Sequence, residues 1–286
     1  MEEFDKLWNY SDPAGTEIKF REVLAASSEK DTSYLLQLQT QLARTYSLRA
    51  MFAEANYLLD TVEKHLSPPP GLEHVRYHLE RGRTYNVSDR KAEAKAHFEL
   101  AQSIAEELKE DYYAIDAIHM LAIVATPAAA IRINEEGLIK AENSSDNRAK
   151  NWLGPFYNNL GWGYFENGEY EKALSVFLRS LQYRESKNSA REIFIAKWCV
   201  ARALRALGRI DDALKVQLAL FEESITTGIP NDGYVHEELG EIFLIKNDRL
   251  KYPFHFEKAY ELLSTDKLLV HSEPARLERI KQLAGI

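Results

Sequence analysis

A chain of 286 residues that is 45% hydrophobic and 28% charged, with 13 Gly and 9 Pro, has the composition of a folded soluble protein and excludes a disordered one. Its net charge of -8 opposes non-specific binding to nucleic acid or to an anionic membrane surface, and no run approaches the ~18 consecutive apolar residues that span a bilayer. A single cysteine, Cys199, excludes an internal disulfide and a multi-cysteine metal site, and residues 1–6 show no basic region leading into an apolar run, so a cytoplasmic location is expected.

In chain order, the first unit, 1–28, is abbreviated. Phe4, Leu7, Thr16, Phe20 and Val23 mark it, and Ser11-Asp12-Pro13 stops its first helix because proline has no N–H to donate. Full helical hairpins are expected near 36–70, 75–110, 115–146, 154–187, 194–228 and 233–266. Turns fall at 67–71, 143–147 and 228–232. A final helix, 272–286, has Ser272 as its expected N-cap and Pro274 in its first turn. Its Leu277, Ile280 and Leu283 stripe suits a cap over the apolar end of a stack, with a partner-binding tail helix as the alternative.

One spacing aligns these hairpins. A small residue recurs as Ala43, Gly82, Ala122, Gly161, Ala201 and Gly240, at intervals of 39, 40, 39, 40 and 39. Three residues on come Tyr46, Tyr85, Ala125, Tyr164, Leu204 and Phe243. The second helices carry Ala55, Ala94, Asn134, Ala173, Ala213 and Tyr252, followed four residues later by Leu59, Phe98, Leu138, Phe177, Gln217 and Phe256. A last column reads Val62, Ala101, Ala141, Ser180, Leu220 and Ala259. Two antiparallel helices approach closely only where one side chain is small, and stacking such hairpins makes one continuous core. The unit around Ala122 lacks its aromatic, and the last departs at Tyr252.

The clearest copy, with Leu160-Gly161, Tyr164, Ala173 and Phe177, resembles the tetratricopeptide repeat. That resemblance implies an all-α fold, a right-handed α-α superhelix of about seven hairpins in a single domain over 1–286. It also implies a concave groove lined by the first helix of each unit. By register the groove takes one column through Arg44, Arg83, Ile123, Trp162, Arg202 and Glu241 and a second through Thr40, Leu79, His119, Asn158, Trp198 and Glu237. Asn159, Phe165, Arg205, Glu80 and Glu238 flank them. Trp162, Phe165 and Trp198 read either as groove anchors or as core between units. The arginines suit an anionic partner segment. Only one unit carries the Asn158-Asn159 pair that holds extended peptide backbones in some family members, and the carboxylate clamp for chaperone tails is not supplied.

Catalytic chemistry finds little footing. His74 and His78 lie four apart without a third ligand, and two solvated histidines explain them as well. His236-Glu237-Glu238 lacks the second histidine of a zinc protease. There is no nucleophile elbow and no phosphate-binding loop, and Gly161-Trp162-Gly163 lies inside a helix pattern. Cys199 reads as a small hydrophobe. The expected role is a non-enzymatic scaffold, without cofactor or metal, holding a protein or peptide segment of acidic character and neither nucleic acid nor membrane. The alternatives are a peptide sensor that changes superhelical pitch and a self-assembling module.

Overall fold

A computed structural model describes residues 2–27, 29–227 and 233–286. Among these are fifteen α-helices, two short 3-10 helices and no strand. The predicted turn at 228–232 lies outside the described residues. The chain divides into two compact units, Met1–Phe156 and Tyr157–Ile286.

In the first unit a 3-10 helix, Glu3–Leu7, precedes α1 (Pro13–Ala26), α2 (Thr32–Ser47), α3 (Phe52–Glu63), α4 (Leu72–Val87), α5 (Lys91–Glu107), α6 (Asp111–Val124), α7 (Pro127–Asn143) and a second 3-10 helix, Ala149–Trp152. Asp12 caps α1 by accepting from the Gly15 amide at 2.9 Å, with Pro13 at the first helical position, where its missing N–H costs nothing. α8 (Leu153–Glu166) runs across the division. The second unit continues with α9 (Tyr170–Lys187), α10 (Ala190–Ala206), α11 (Ile210–Thr227), α12 (Gly233–Ile245), α13 (Lys251–Leu263), α14 (Lys267–Ser272) and α15 (Pro274–Ala284). Links of two to five residues within each hairpin leave consecutive helices no choice but to run antiparallel.

The hairpin turns share one chemistry, and it falls on the column three residues after the small residue. The carbonyls of Tyr46, Tyr85, Tyr164, Leu204 and Phe243 accept from the amides of Met51, Arg90, Glu169, Arg209 and Asp248, at 2.9 to 3.0 Å. Each bond spans five residues, and the chain turns through a left-handed residue in between: Ala50, Asp89, Gly168, Gly208 or Asn247. The irregular unit has another turn. Ala125 is extended, and Pro127 opens α7 directly after Thr126.

The small-residue column meets the phenylalanine column. Side chains added at Gly82, Gly161 and Gly240 would run into the rings of Phe98, Phe177 and Phe256, all three of which are buried. Burying a Phe side chain fully contributes roughly 2–3 kcal/mol, enough to offset the ~1 kcal/mol that a mid-helix glycine costs. In the irregular unit Gly137 plays this part against Phe156 and Ile118.

At the C-terminal end Leu277 and Ile280 of α15 are buried with Phe256, Ala259 and Leu263 of α13. Ser272 is not the N-cap of this helix. It closes α14, and Glu273 takes the cap position with Pro274 next.

Candidate functional site

Within the first unit, α2, α4 and α6 each turn one face towards a cavity of about 500 Å³. Arg44 lies three residues after Gln41 on α2, and Arg76, Leu79, Glu80 and Arg83 share one face of α4 by helical spacing. Tyr112 and Asp116 come from α6. Trp8 and Tyr10 close one side, and Arg148 and Trp152 another. The aromatics pair at the margins: Trp8 stacks on Tyr10 with centroids 4.7 Å apart, and Tyr112 lies 6.3 Å from Trp152.

The cavity's charges are mostly matched. Asp5 binds Arg76 through two hydrogen bonds of 2.9 and 2.6 Å, and Arg76 also donates to the Tyr113 hydroxyl. Arg83 donates to Glu80 at 2.6 Å and to Asp116. Burial would lower the Arg83 guanidinium, but Asp116 and Glu80 reverse this and hold it above its usual value. Arg148 pairs with Asp146 at 2.7 Å.

Arg44 differs. Its one ion contact is Glu80, at 3.7 Å, and its guanidinium makes no hydrogen bond among the described residues. Burial pulls its pKa below the usual value, with Glu80 opposing only in part. His119, which register assigns to the same groove, instead packs its ring 4.9 Å from Trp152 and 5.8 Å from Phe156, and burial lowers its pKa.

In the second unit the aromatics form a row. Trp162 of α8 lies 5.9 Å from Trp198 of α10, which lies 5.9 Å from Tyr234 of α12. The Trp198 indole N–H donates to the Tyr234 carbonyl at 3.2 Å. Phe165 sits 5.3 Å from Trp162. All four rings are half-buried, so they pack between hairpins and keep an exposed part. Asn158 is exposed and donates to Asn159 at 3.3 Å.

The groove arginines of this unit, which suit an anionic partner by sequence, are engaged within the chain. Arg205 donates to Glu238 through bonds of 2.7 and 2.9 Å, and Arg202 donates to the same carboxylate while lying over the Phe165 ring. Glu238 is 1% exposed, and burial raises its carboxyl to about 7 against the pull of Arg205. The last unit's acids are likewise engaged: Glu237 accepts from Arg276 and Glu241 from Arg279, both on α15. A carboxylate set 33 to 39 residues from its arginine is invisible to a reading of one column at a time.

Two histidine pairs also escaped the sequence. His78 Nδ1 lies 2.8 Å from His97 Nδ1, and His236 Nδ1 lies 3.0 Å from His255 Nδ1. Both pairs are 19 residues apart, and each begins four residues before a column glycine, which is the signal that was available. His78 therefore does not join His74, whose Nδ1 accepts from the Gly71 amide at 3.1 Å. No group of three or more metal-ligating side chains occurs among the described residues, and none of their helices is long and apolar enough to cross a membrane. Cys199 is buried in α10, where burial pushes its thiol up to about 12.

Stacked hairpins whose first helices present polar and aromatic side chains define a helical-repeat protein. Residues 154–187, spanning α8 and α9, match the family model of the tetratricopeptide repeat. The chain therefore carries a tetratricopeptide repeat over those residues. Its fold is similar to that of the apo form of RapI, with a TM-score of 0.78 at 13% identity over 99% of this chain and 81% of that one. It is also similar to a signal-transduction ATPase with a tetratricopeptide repeat sensor from Pyrococcus horikoshii, with a TM-score of 0.74 at 15% identity over 95% of this chain and 42% of that one. NprR in complex with its cognate peptide NprX gives a TM-score of 0.54 at 16% identity over 93% and 77%. No curated protein sequence matches the chain.

Proposed function

We propose that this protein is a non-catalytic module that holds an extended segment of a partner protein or peptide along its first helices. The half-buried row of Trp162, Trp198 and Tyr234 carries the reading. Rings fixed by their neighbours lose little entropy on binding and offer a large apolar surface, which is what interface anchors need. NprR, which has this fold, holds a peptide in its solved complex, and that supports a peptide as occupant. The test is a library of short peptides screened by tryptophan fluorescence against the wild type, Trp162→Ala and Trp198→Ala, each first shown to be folded by circular dichroism. Peptides that bind the wild type and weaken at least tenfold in either variant support the reading. An absence of binders, or the same affinities in all three proteins, overturns it.

A further inference from the structure

The cavity of the first unit is built differently from the aromatic row. Four arginines and three carboxylates line it, and Asp146, which is not among the lining residues, pairs with one of the arginines, so the charges balance in number. The pairing is uneven, because Asp5 binds Arg76, Glu80 and Asp116 converge on Arg83, and Asp146 holds Arg148. Arg44 is left with a single contact at 3.7 Å to a carboxylate that already serves Arg83. Its side chain is 26% exposed, open enough to be reached and buried enough that water screens it poorly.

Around that cation the walls are aromatic. Tyr10 is 65% exposed and rests on Trp8, while Tyr112 and Trp152 stand together at the margin. The Trp152 indole N–H is buried without a hydrogen-bond partner among the described residues. The volume, about 500 Å³, falls in the ordinary range for small-ligand sites.

We infer that this cavity is a binding site for an aromatic carboxylate, its anion paired with Arg44 and its ring placed among Tyr10, Tyr112 and Trp152. A planar guanidinium with unused donors matches a carboxylate in a two-bond geometry, and flat rings pack on flat rings at low entropic cost. Asp5 and Asp116 are engaged by Arg76 and Arg83, so a cation on the ligand would find Glu80 Oε2 as the carboxylate oxygen without a hydrogen bond among the described residues. A ligand of this chemistry is either the C-terminal residue of a peptide or a free aromatic acid. The first source rests on the peptide-binding reading above, and the site itself does not.

The probe is N-acetyl-phenylalanine, titrated calorimetrically into the wild type, with N-acetyl-phenylalanine amide as the neutral control. A millimolar Kd is expected for a ligand this small, with at least tenfold weaker binding of the amide. Arg44→Gln is expected to weaken the acid tenfold and to leave the amide unchanged. This variant removes a cation that makes no hydrogen bond, so it is expected to melt within a few degrees of the wild type, and Arg44→Lys serves as a second variant that keeps the charge. Equal binding of acid and amide overturns the inference, as does undiminished binding to Arg44→Gln or no binding at 20 mM, about ten times the expected Kd. The source is read by lengthening the probe to an N-acetylated tetrapeptide ending in phenylalanine. Tighter binding identifies a peptide C-terminus, and weaker binding identifies a free acid. The latter would count against the peptide reading and leave the cavity's assignment standing.

Discussion

The ring of Phe177 on α9 occupies the space into which a side chain at position 161 of α8 would project, so Gly161 and Phe177 bring two helices together at a single point. The same contact joins Gly82 to Phe98, and in looser form Gly240 to Phe256, where an added Cβ would stand 3.0 Å from the ring. Gly161→Ala is therefore expected to destabilise the protein by about 1–2 kcal/mol, because the overpacking cost exceeds the ~1 kcal/mol gained in helix propensity. Gly240→Ala should cost less. Urea unfolding of both variants checks the order, and a stabilised Gly161→Ala would show that the ring shifts freely.

Gln217 breaks the phenylalanine and leucine column and is fully buried, with neither amide atom hydrogen-bonded among the described residues. A buried amide without a partner carries a desolvation cost of about 1–3 kcal/mol. Gln217→Leu should raise the unfolding free energy by about 1–2 kcal/mol. A loss of stability would mean that the amide has a partner after all, such as a bound water.

Glu238 holds two arginines at a position that is 1% exposed. Removing Arg205 leaves the buried carboxylate with Arg202 alone, so Arg205→Ala is expected to cost about 1–3 kcal/mol. Arg205→Met combined with Glu238→Met should recover most of that loss, since an apolar pair of similar volume needs no solvation. A thermodynamic cycle over the singles and the double measures the coupling. Charge reversal at Arg202 or Arg205 would therefore unsettle the fold before it reported on any partner.

Acid should weaken the fold through the histidine pairs. Burial first, and then neighbouring positive charge, hold His78 and His255 at about 4 against 6.5 for a free imidazole. The unfolded chain thus binds protons that the folded chain refuses. Stability is insensitive to these groups above pH 6.5 and falls as the pH drops towards 4, by about 1.4 kcal/mol per unit for each such histidine. The double variant His78→Gln, His97→Gln can still hydrogen-bond across the pair without titrating, and its urea midpoint should depend less on pH over this window. An unchanged pH slope would remove His78 from the account.

The hairpin turn holds a further strained point. Ala50 is exposed and adopts a φ of 60°, a region that an L side chain resists. Ala50→Gly should stabilise by about 1 kcal/mol, read from the shift in urea midpoint at constant m value. No gain would mean that the added freedom of the unfolded chain cancels the relief.

Fold class and hairpin placement follow from the sequence alone, because they depend on local chemistry that repeats: a small residue facing a large ring, a helix stop, a turn. The columns from Ala55 to Ala213 and from Val62 to Ala259 are buried because each residue answers to its own hairpin and its neighbour. Register along the chain was likewise legible: it set Arg44, Arg83 and Trp162 in one column and Trp198 in the next. The electrostatic state of those side chains was not. Whether an arginine is a free cation depends on which carboxylate arrives from the next helix, or from a segment 71 residues away in the case of Asp5 and Arg76. Tertiary packing alone decided that Arg202 and Arg205 converge on Glu238 while Arg44 has one long ion contact and no hydrogen bond among the described residues, since ion pairing is set by distances of a few ångströms that no spacing along the chain encodes.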